Sequence, residues 1–240
     1  MKRTIAFLLL ACCSSSGPGY LGPSQDLASK LHKATPSYHI GAVNFVQALV
    51  QVSGDFQIPM GITWVNSPAT LAQLPLAWAH TTPDEIIRDI VKTQPGYEVR
   101  VDDGIVHIFR SIQDNENFLK IRIGRFSASD QPVEVTYYRL HTTLAPAKGN
   151  HQISIAGPGD SKVTLDLSDP TVEDVLDAIS VASSRKIWIV TFSDDTGLTP
   201  RGLRRTLSLW SANPSEPDQP GWDVTRWGDP LPPLLTAAKP

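Results

Sequence analysis

Thiol chemistry is almost missing from this sequence: of 240 residues only two are cysteine, and they stand side by side at Cys12 and Cys13. A disulfide scaffold or a zinc ribbon needs more, at wider spacing. Basic residues are outnumbered too. Lys and Arg total 21 against 24 Asp and Glu, a net charge of −3. Phosphate backbones are bound by basic stripes, so no nucleic acid is expected as a partner. No apolar run approaches the roughly 18 residues of a membrane helix. Also absent are a Gly-x-Ser-x-Gly elbow, a P-loop, a dinucleotide glycine run and a His-Glu-x-x-His helix. Six histidines, His32, His39, His80, His107, His141 and His151, are scattered without metal-ligand spacing. The expectation is a protein with no catalytic residues, no cofactor and no metal site.

What the sequence does have is a patterned start. Met1 to Ser16 read MKRTIAFLLLACCSSS. Lys2 and Arg3 give a positive opening, Ile5 to Ala11 a short apolar stretch, and small residues follow, which is the grammar of an export signal over 1–16. Leu9-Leu10-Ala11-Cys12 resembles a bacterial lipobox, making Cys12 the candidate lipidation residue and an N-terminal lipid anchor the one expected membrane contact. With Lys2 and Arg3 removed, 19 basic residues would stand against 24 acidic, a net charge of −5. Cys12 and Cys13 would leave or be modified with the signal, so the body is expected to hold together by packing alone, with no disulfide. Expected localisation is the periplasm or cell envelope.

Residues 17–36 read as a linker, with at most a weak turn or two of helix near Asp26 to His32. From Tyr38 the pattern tightens. Phe45, Ala48, Leu49 and Val52 have helical spacing, ended by Gly54. Ile62 to Val65 reads as a strand, as does Leu74 to Trp78. Thr82-Pro83-Asp84-Glu85 then opens a helix: Thr82 caps, Pro83 suits the first turn and Glu85 reaches back. Tyr97 to Val101 and Ile105 to Phe109 alternate around Asp102-Asp103-Gly104, a hairpin signal. The same grammar then recurs. Leu119 to Phe126 alternates as a strand. Pro132 to Leu144 has a helical face with Asp130 or Ser129 as caps, and a strand reading stays open there. His151 to Ala156 and Val163 to Leu167 are strands, and Thr171 with Asp174 repeats the capping spacing. Val175, Leu176 and Ile179 follow Ile86, Ile87 and Ile90 by 89 residues. Lys186 to Phe192 closes the unit as a buried strand, with a return strand in Leu203 to Trp210. Beyond Ser211 the chain holds seven of its 20 prolines. The expected class is therefore α+β: two small βαββαβ-like modules with mixed sheets at 37–112 and 117–210, the second a divergent copy, then a Pro-rich, extended tail at 211–240.

The first unit resembles the secretin and TonB short N-terminal domain, a periplasmic module. The likeness rests on FVQALVQVSGDF, LPLAWAHTTPDEIIRDIV and YEVRVDDGIVHIF, in order across Tyr38 to Arg110. The second unit matches best in VTLDLSDPTVEDVLDAI. Within the 240 residues no barrel or secretin pore accompanies these patterns. What the resemblance implies is therefore the habit of binding protein partners at the envelope, not the identity of one.

Other clusters have ordinary readings. Asp166, Asp169, Glu173, Asp174 and Asp177 crowd a helix start, where the helix dipole favours carboxylates; binding of a divalent cation or a glycan is the sharper alternative. Asp194 and Asp195 fit a turn. Arg201, Arg204 and Arg205 form a small basic spot suited to a solvated loop, or to an acidic partner or lipid headgroups. Trp64, Trp78 and Trp188 read as core, whereas Trp222 and Trp227 need either the body or a partner groove to cover them. The function expected is non-enzymatic protein–protein contact at the envelope with an unnamed protein partner. The alternatives are an envelope hydrolase acting on carbohydrate or peptidoglycan, and a structural subunit of an envelope assembly.

Overall fold

The structure, a computed structural model, describes residues 23–41, 44–66, 77–111, 117–144, 151–155, 161–183, 187–193 and 207–212. The export signal with Cys12, the pairs and triplets at Asp194 to Arg205, and the tail beyond Ala212 lie outside the described residues. The elements run α1 (Pro23–Leu31), β1 (Thr35–His39), α2 (Phe45–Phe56), β2 (Met60–Asn66), β3 (Ala77–Thr81), α3 (Pro83–Lys92), β4 (Tyr97–Asp102) and β5 (Ile105–Arg110). After a short 3-10 turn at Phe118–Lys120 come β6 (Arg125–Pro132), α4 (Val133–Leu144), β7 (His151–Ile155), β8 (Lys162–Ser168), α5 (Val172–Ala182), β9 (Ile187–Ser193) and β10 (Leu207–Ala212). The class is α+β with mixed sheets.

Local chemistry explains most of the boundaries. Both capping boxes form: Thr82 Oγ1 accepts from the Glu85 amide while Glu85 reaches the Thr82 amide at 2.8 Å, and Thr171 with Asp174 does the same. The β4–β5 hairpin turns through Asp103 and Gly104, both at positive φ.

Other boundaries moved. Helix α2 runs past Gly54 to Phe56 and stops at Gln57, whose left-handed φ of 54° closes the helix. The strand expected over Leu119 to Phe126 is instead a 3-10 turn followed by β6, which starts at Arg125 and absorbs Ser129 and Asp130 as strand residues rather than caps. A bulge between Ala128 and Gln131, with Asp130 at φ 49°, bends that strand into α4. Of the expected Pro132 to Leu144, Val133 to Leu144 is helix and Pro132 ends β6. The expected linker holds α1, whose Leu27 and Leu31 are buried in the core, and the first two residues of β1. Trp64 and Trp188 are buried, and Trp78 is half-buried on β3.

Strand pairing repeats along the chain. In the first half β1 pairs antiparallel with β3, β2 parallel with β5, and β4 antiparallel with β5. In the second half β6 pairs antiparallel with β8, β7 parallel with β10, and β9 antiparallel with β10. The two triplets then fuse: β2 lies parallel to β9 from Met60–Ile187 to Asn66–Ser193, giving one six-stranded sheet ordered β4-β5-β2-β9-β10-β7.

Each face of that sheet carries its own core. Val46, Leu49, Ile86 and Ile90 of α2 and α3 pack with Met60, Ile62, Val106, Ile108, Ile187 and Ile189. Tyr137, Leu140, Val175 and Ile179 of α4 and α5 pack on the other face with Ile105, Trp188 and Val190. Strand β9 is thus buried on both faces, as a continuous apolar run requires. Its neighbour β2 makes room through Gly61, which is paired with Trp188: a Cβ at Gly61 would stand 2.5 Å from Trp188 Cε2.

Candidate functional site

Two places in this fold could do something beyond holding it together: the ends of the six-stranded sheet, and a buried polar cluster where α5 crosses β5.

The sheet ends follow from the pairing. Among the described residues strand β4 pairs only with β5, and β7 only with β10. The direction of the open groups on β4 can be read from its neighbour. The Val106 amide donates to Pro59 O at 3.0 Å, on the β2 side of β5. Val101, opposite Val106, therefore belongs to a non-hydrogen-bonded pair, and its N–H and C=O point away from the sheet. The same parity turns Val99 outward, while Glu98, Arg100 and Asp102 bond back to β5. Val101 is 41% exposed. Such an edge is a template for another strand.

The polar cluster is built from β4, β5, α5 and β9. The hairpin places His107 on the face that α5 covers, and helical spacing puts Glu173 and Asp177 one turn apart above it. His107 Nε2 lies 3.3 Å from Asp177 Oδ2, and Nδ1 lies 3.4 Å from Glu173 Oε1. Trp188 Nε1 donates to Asp177 Oδ1 at 2.8 Å. Glu173 also accepts from Arg100 Nη2 at 3.1 Å and Lys120 Nζ at 2.8 Å. Burial pushes the Asp177 carboxyl above its ordinary value, opposed by the hydrogen bonds from His107 and Trp188.

A pocket of about 170 Å³ opens beside this cluster, lined by Thr63, Arg100, Phe109, Lys120 and Glu173 among others. His107 does not line it; its side chain is 3% exposed. The arrangement can pin α5 to the sheet, with Arg100, Lys120 and Glu173 reaching the pocket. Among the described residues the acidic partners of the imidazole are the carboxylates of Glu173 and Asp177. Among the described residues no group of three or more His, Cys, Asp or Glu side chains is placed to hold a metal ion.

The expected helix start holds Glu173 and Asp174 in the first turn of α5, and each acid of the cluster is also individually partnered. Asp166 bonds Arg125 and Asp169 bonds Arg122, both on the surface; Asp174 serves the cap; Glu173 and Asp177 enter the buried cluster. Among the described side chains the histidines do not converge, and only His107 is buried with acidic neighbours; the side chain of His151 lies outside them. The signal for it was present in the sequence: a lone histidine inside the apolar run IVHIF, with two acids four residues apart on a later helix. In comparisons with known proteins, the chain matches no family model, no curated protein and no solved structure.

Proposed function

We propose that this chain is an exported cell-envelope protein, held to a membrane through an acylated Cys12, that works without catalysis by binding protein through its sheet edges. Export rests on the Met1 to Ser16 pattern, and the envelope setting on the resemblance to the secretin and TonB short N-terminal domain. The recurring strand pairs support a duplicated unit: two divergent copies of one small α+β module, fused through β2 and β9. The observation that carries the binding role is the open β4 edge, with the Val99 and Val101 peptide groups turned outward. Strand addition takes affinity from backbone hydrogen bonds, so it needs no dedicated side-chain site.

The test is capture from envelope extracts by the full chain and by Val101→Pro, which removes one outward donor and leaves the β5 ladder intact. A partner retained by the wild type and lost by Val101→Pro supports the reading. Capture unaffected by the substitution, or no capture, contradicts it.

One observation favours a second reading, an envelope hydrolase: His107 lies between two carboxylates beside a pocket. Turnover of peptidoglycan or a glycan by the purified chain, abolished in His107→Gln, would establish it. Its enclosed position makes this the weaker of the two.

A further inference from the structure

The join between the two halves is itself a template for joining two molecules. Strand β2, the outer strand of the first triplet, lies parallel to β9. In the second triplet β7 holds the position of β2, since each pairs parallel with the strand that closes its unit. In the first triplet β4 holds the position of β9, since each pairs antiparallel with that same strand. The internal join thus uses one edge of each triplet, and the two edges it leaves open, β7 and β4, are the same kind of pair.

Directions agree. Strand β4 runs against β5, β2 and β9; β10 runs against β9, and β7 runs with β10. So β4 and β7 run the same way. A second copy displaced across the sheet by six strand spacings, about 29 Å, needs no inversion to set its β4 parallel beside β7. We infer that copies of this chain associate head to tail, β7 of one molecule against β4 of the next, repeating between molecules the β2–β9 join within one. This rests on the edge-binding reading above and specifies its partner as a second copy of the chain.

The register follows. Met60 pairs with Val106 as His151 pairs with Leu207, and Val101 pairs with Val106 as Phe192 pairs with Leu207. Transferring the Met60–Ile187 pairing by these equivalences sets Gln152 opposite Tyr97, Ser154 opposite Val99 and Ile155 opposite Arg100 of the next molecule.

Three of the four large exposed hydrophobics among the described residues fall at the two ends. The four are Val101, Ile121, Val135 and Tyr138. Val101 is on β4, whereas Ile121 sits at the start of α5, its carbonyl accepting from the Val172 amide. Val135 and Tyr138 are on α4, which packs against β7. Tyr138, the sixth residue of α4, is 65% exposed; Val50, the sixth residue of α2, is buried in a core shared with Ile187 and Ile189 of the joined half. Glu98 and Asp102 are exposed on β4 and keep an uncontrolled edge in check, so the association is reversible and depends on concentration. Because the join is heterologous and the sheet twists, it builds open helical chains.

Sedimentation velocity on the full chain carrying Cys12→Ser and Cys13→Ser tests this. Expected is an average mass that rises with concentration past the dimer, without a plateau. Val101→Pro, and independently Val101→Lys, should weaken association at least tenfold while leaving circular dichroism unchanged. In the same thiol-free background, a short bis-maleimide should link Ser154→Cys chains to Val101→Cys chains in a mixture and link neither variant to itself. A monomer at every concentration, a closed dimer, or links between Val101→Cys chains alone would overturn the inference. If the chain stays monomeric yet captures an envelope protein in a Val101-dependent way, self-association fails and edge binding stands. If it does neither, both fail.

Discussion

Replacing Gly61 by alanine adds one methyl at the point where the two halves meet. In a strand interior glycine is the weaker residue, so on propensity alone the change would be neutral or mildly stabilising. Geometry points the other way. The new Cβ would lie 2.5 Å from Trp188 Cε2 and 3.0 Å from Nε1, whereas carbons rest at about 3.5–4.0 Å. Relief therefore requires a displacement of about 1 Å. The indole cannot supply it cheaply: it is fully buried, and its Nε1 is held by Asp177 at 2.8 Å. Nor can β2, which is hydrogen-bonded on both sides. Overpacking of this kind costs about 1–3 kcal/mol. Urea unfolding of wild type, Gly61→Ala, Trp188→Leu and the double variant measures it as a cycle. Trp188→Leu costs about 3 kcal/mol for its own cavity, but removes the atoms that the methyl strikes, so Gly61→Ala should cost under ~0.5 kcal/mol in that background. The reasoning is refuted if Gly61→Ala is neutral in the wild type, or costs the same in both backgrounds.

Three further outcomes are expected. Thr171→Ala removes the acceptor for the Asp174 amide and should lower stability by about 1 kcal/mol, read from the thermal midpoint. Leu31→Ala should cost about 2 kcal/mol or more, because α1 is packed into the core rather than trailing from it; a neutral result would return that segment to the status of a linker. Asp177 has its folded pKa raised, chiefly by burial, so its contribution to stability is complete below the ordinary value of 3.8 and declines as pH rises through the folded value. Wild type should therefore lose stability relative to Asp177→Asn as pH is raised from about 3.8, and parallel stability–pH curves would contradict the assignment.

The parts of the fold written in local chemistry were legible. A threonine three residues before an acid marks a helix start wherever it occurs, and an Asp-Gly turn between alternating strands marks a hairpin, because neither depends on distant contacts. The run at Lys186 to Phe192 also announced a strand buried on both faces. What covers those faces was not legible. The β2–β9 pairing joins residues separated by more than half the chain, and no periodicity in either strand names the other. Helix α1 looked weak for the same reason: Leu27 and Leu31 are a sparse stripe until α3 is beside them. The alternation of Leu119 to Phe126 suggested a strand, yet the sheet partner β8 takes the chain from Arg125 onward, and the bulge at Asp130 is set by that pairing. His107 was visible as a letter but not as a site, since its acids arrive on a helix whose docking is a tertiary event.

The β4 edge is the proposed place where this chain meets protein. Hydrogen exchange of the Val99 and Val101 amides, followed on the full chain from dilute to concentrated solution and again with envelope extract, reads that edge directly. Their N–H groups face outward in the single molecule and should exchange freely when it is alone, then become protected as partners or further copies are added, while the Glu98 and Arg100 amides stay protected throughout. Exchange at Val99 and Val101 that is slow in the isolated chain, or that no addition slows, would contradict the account.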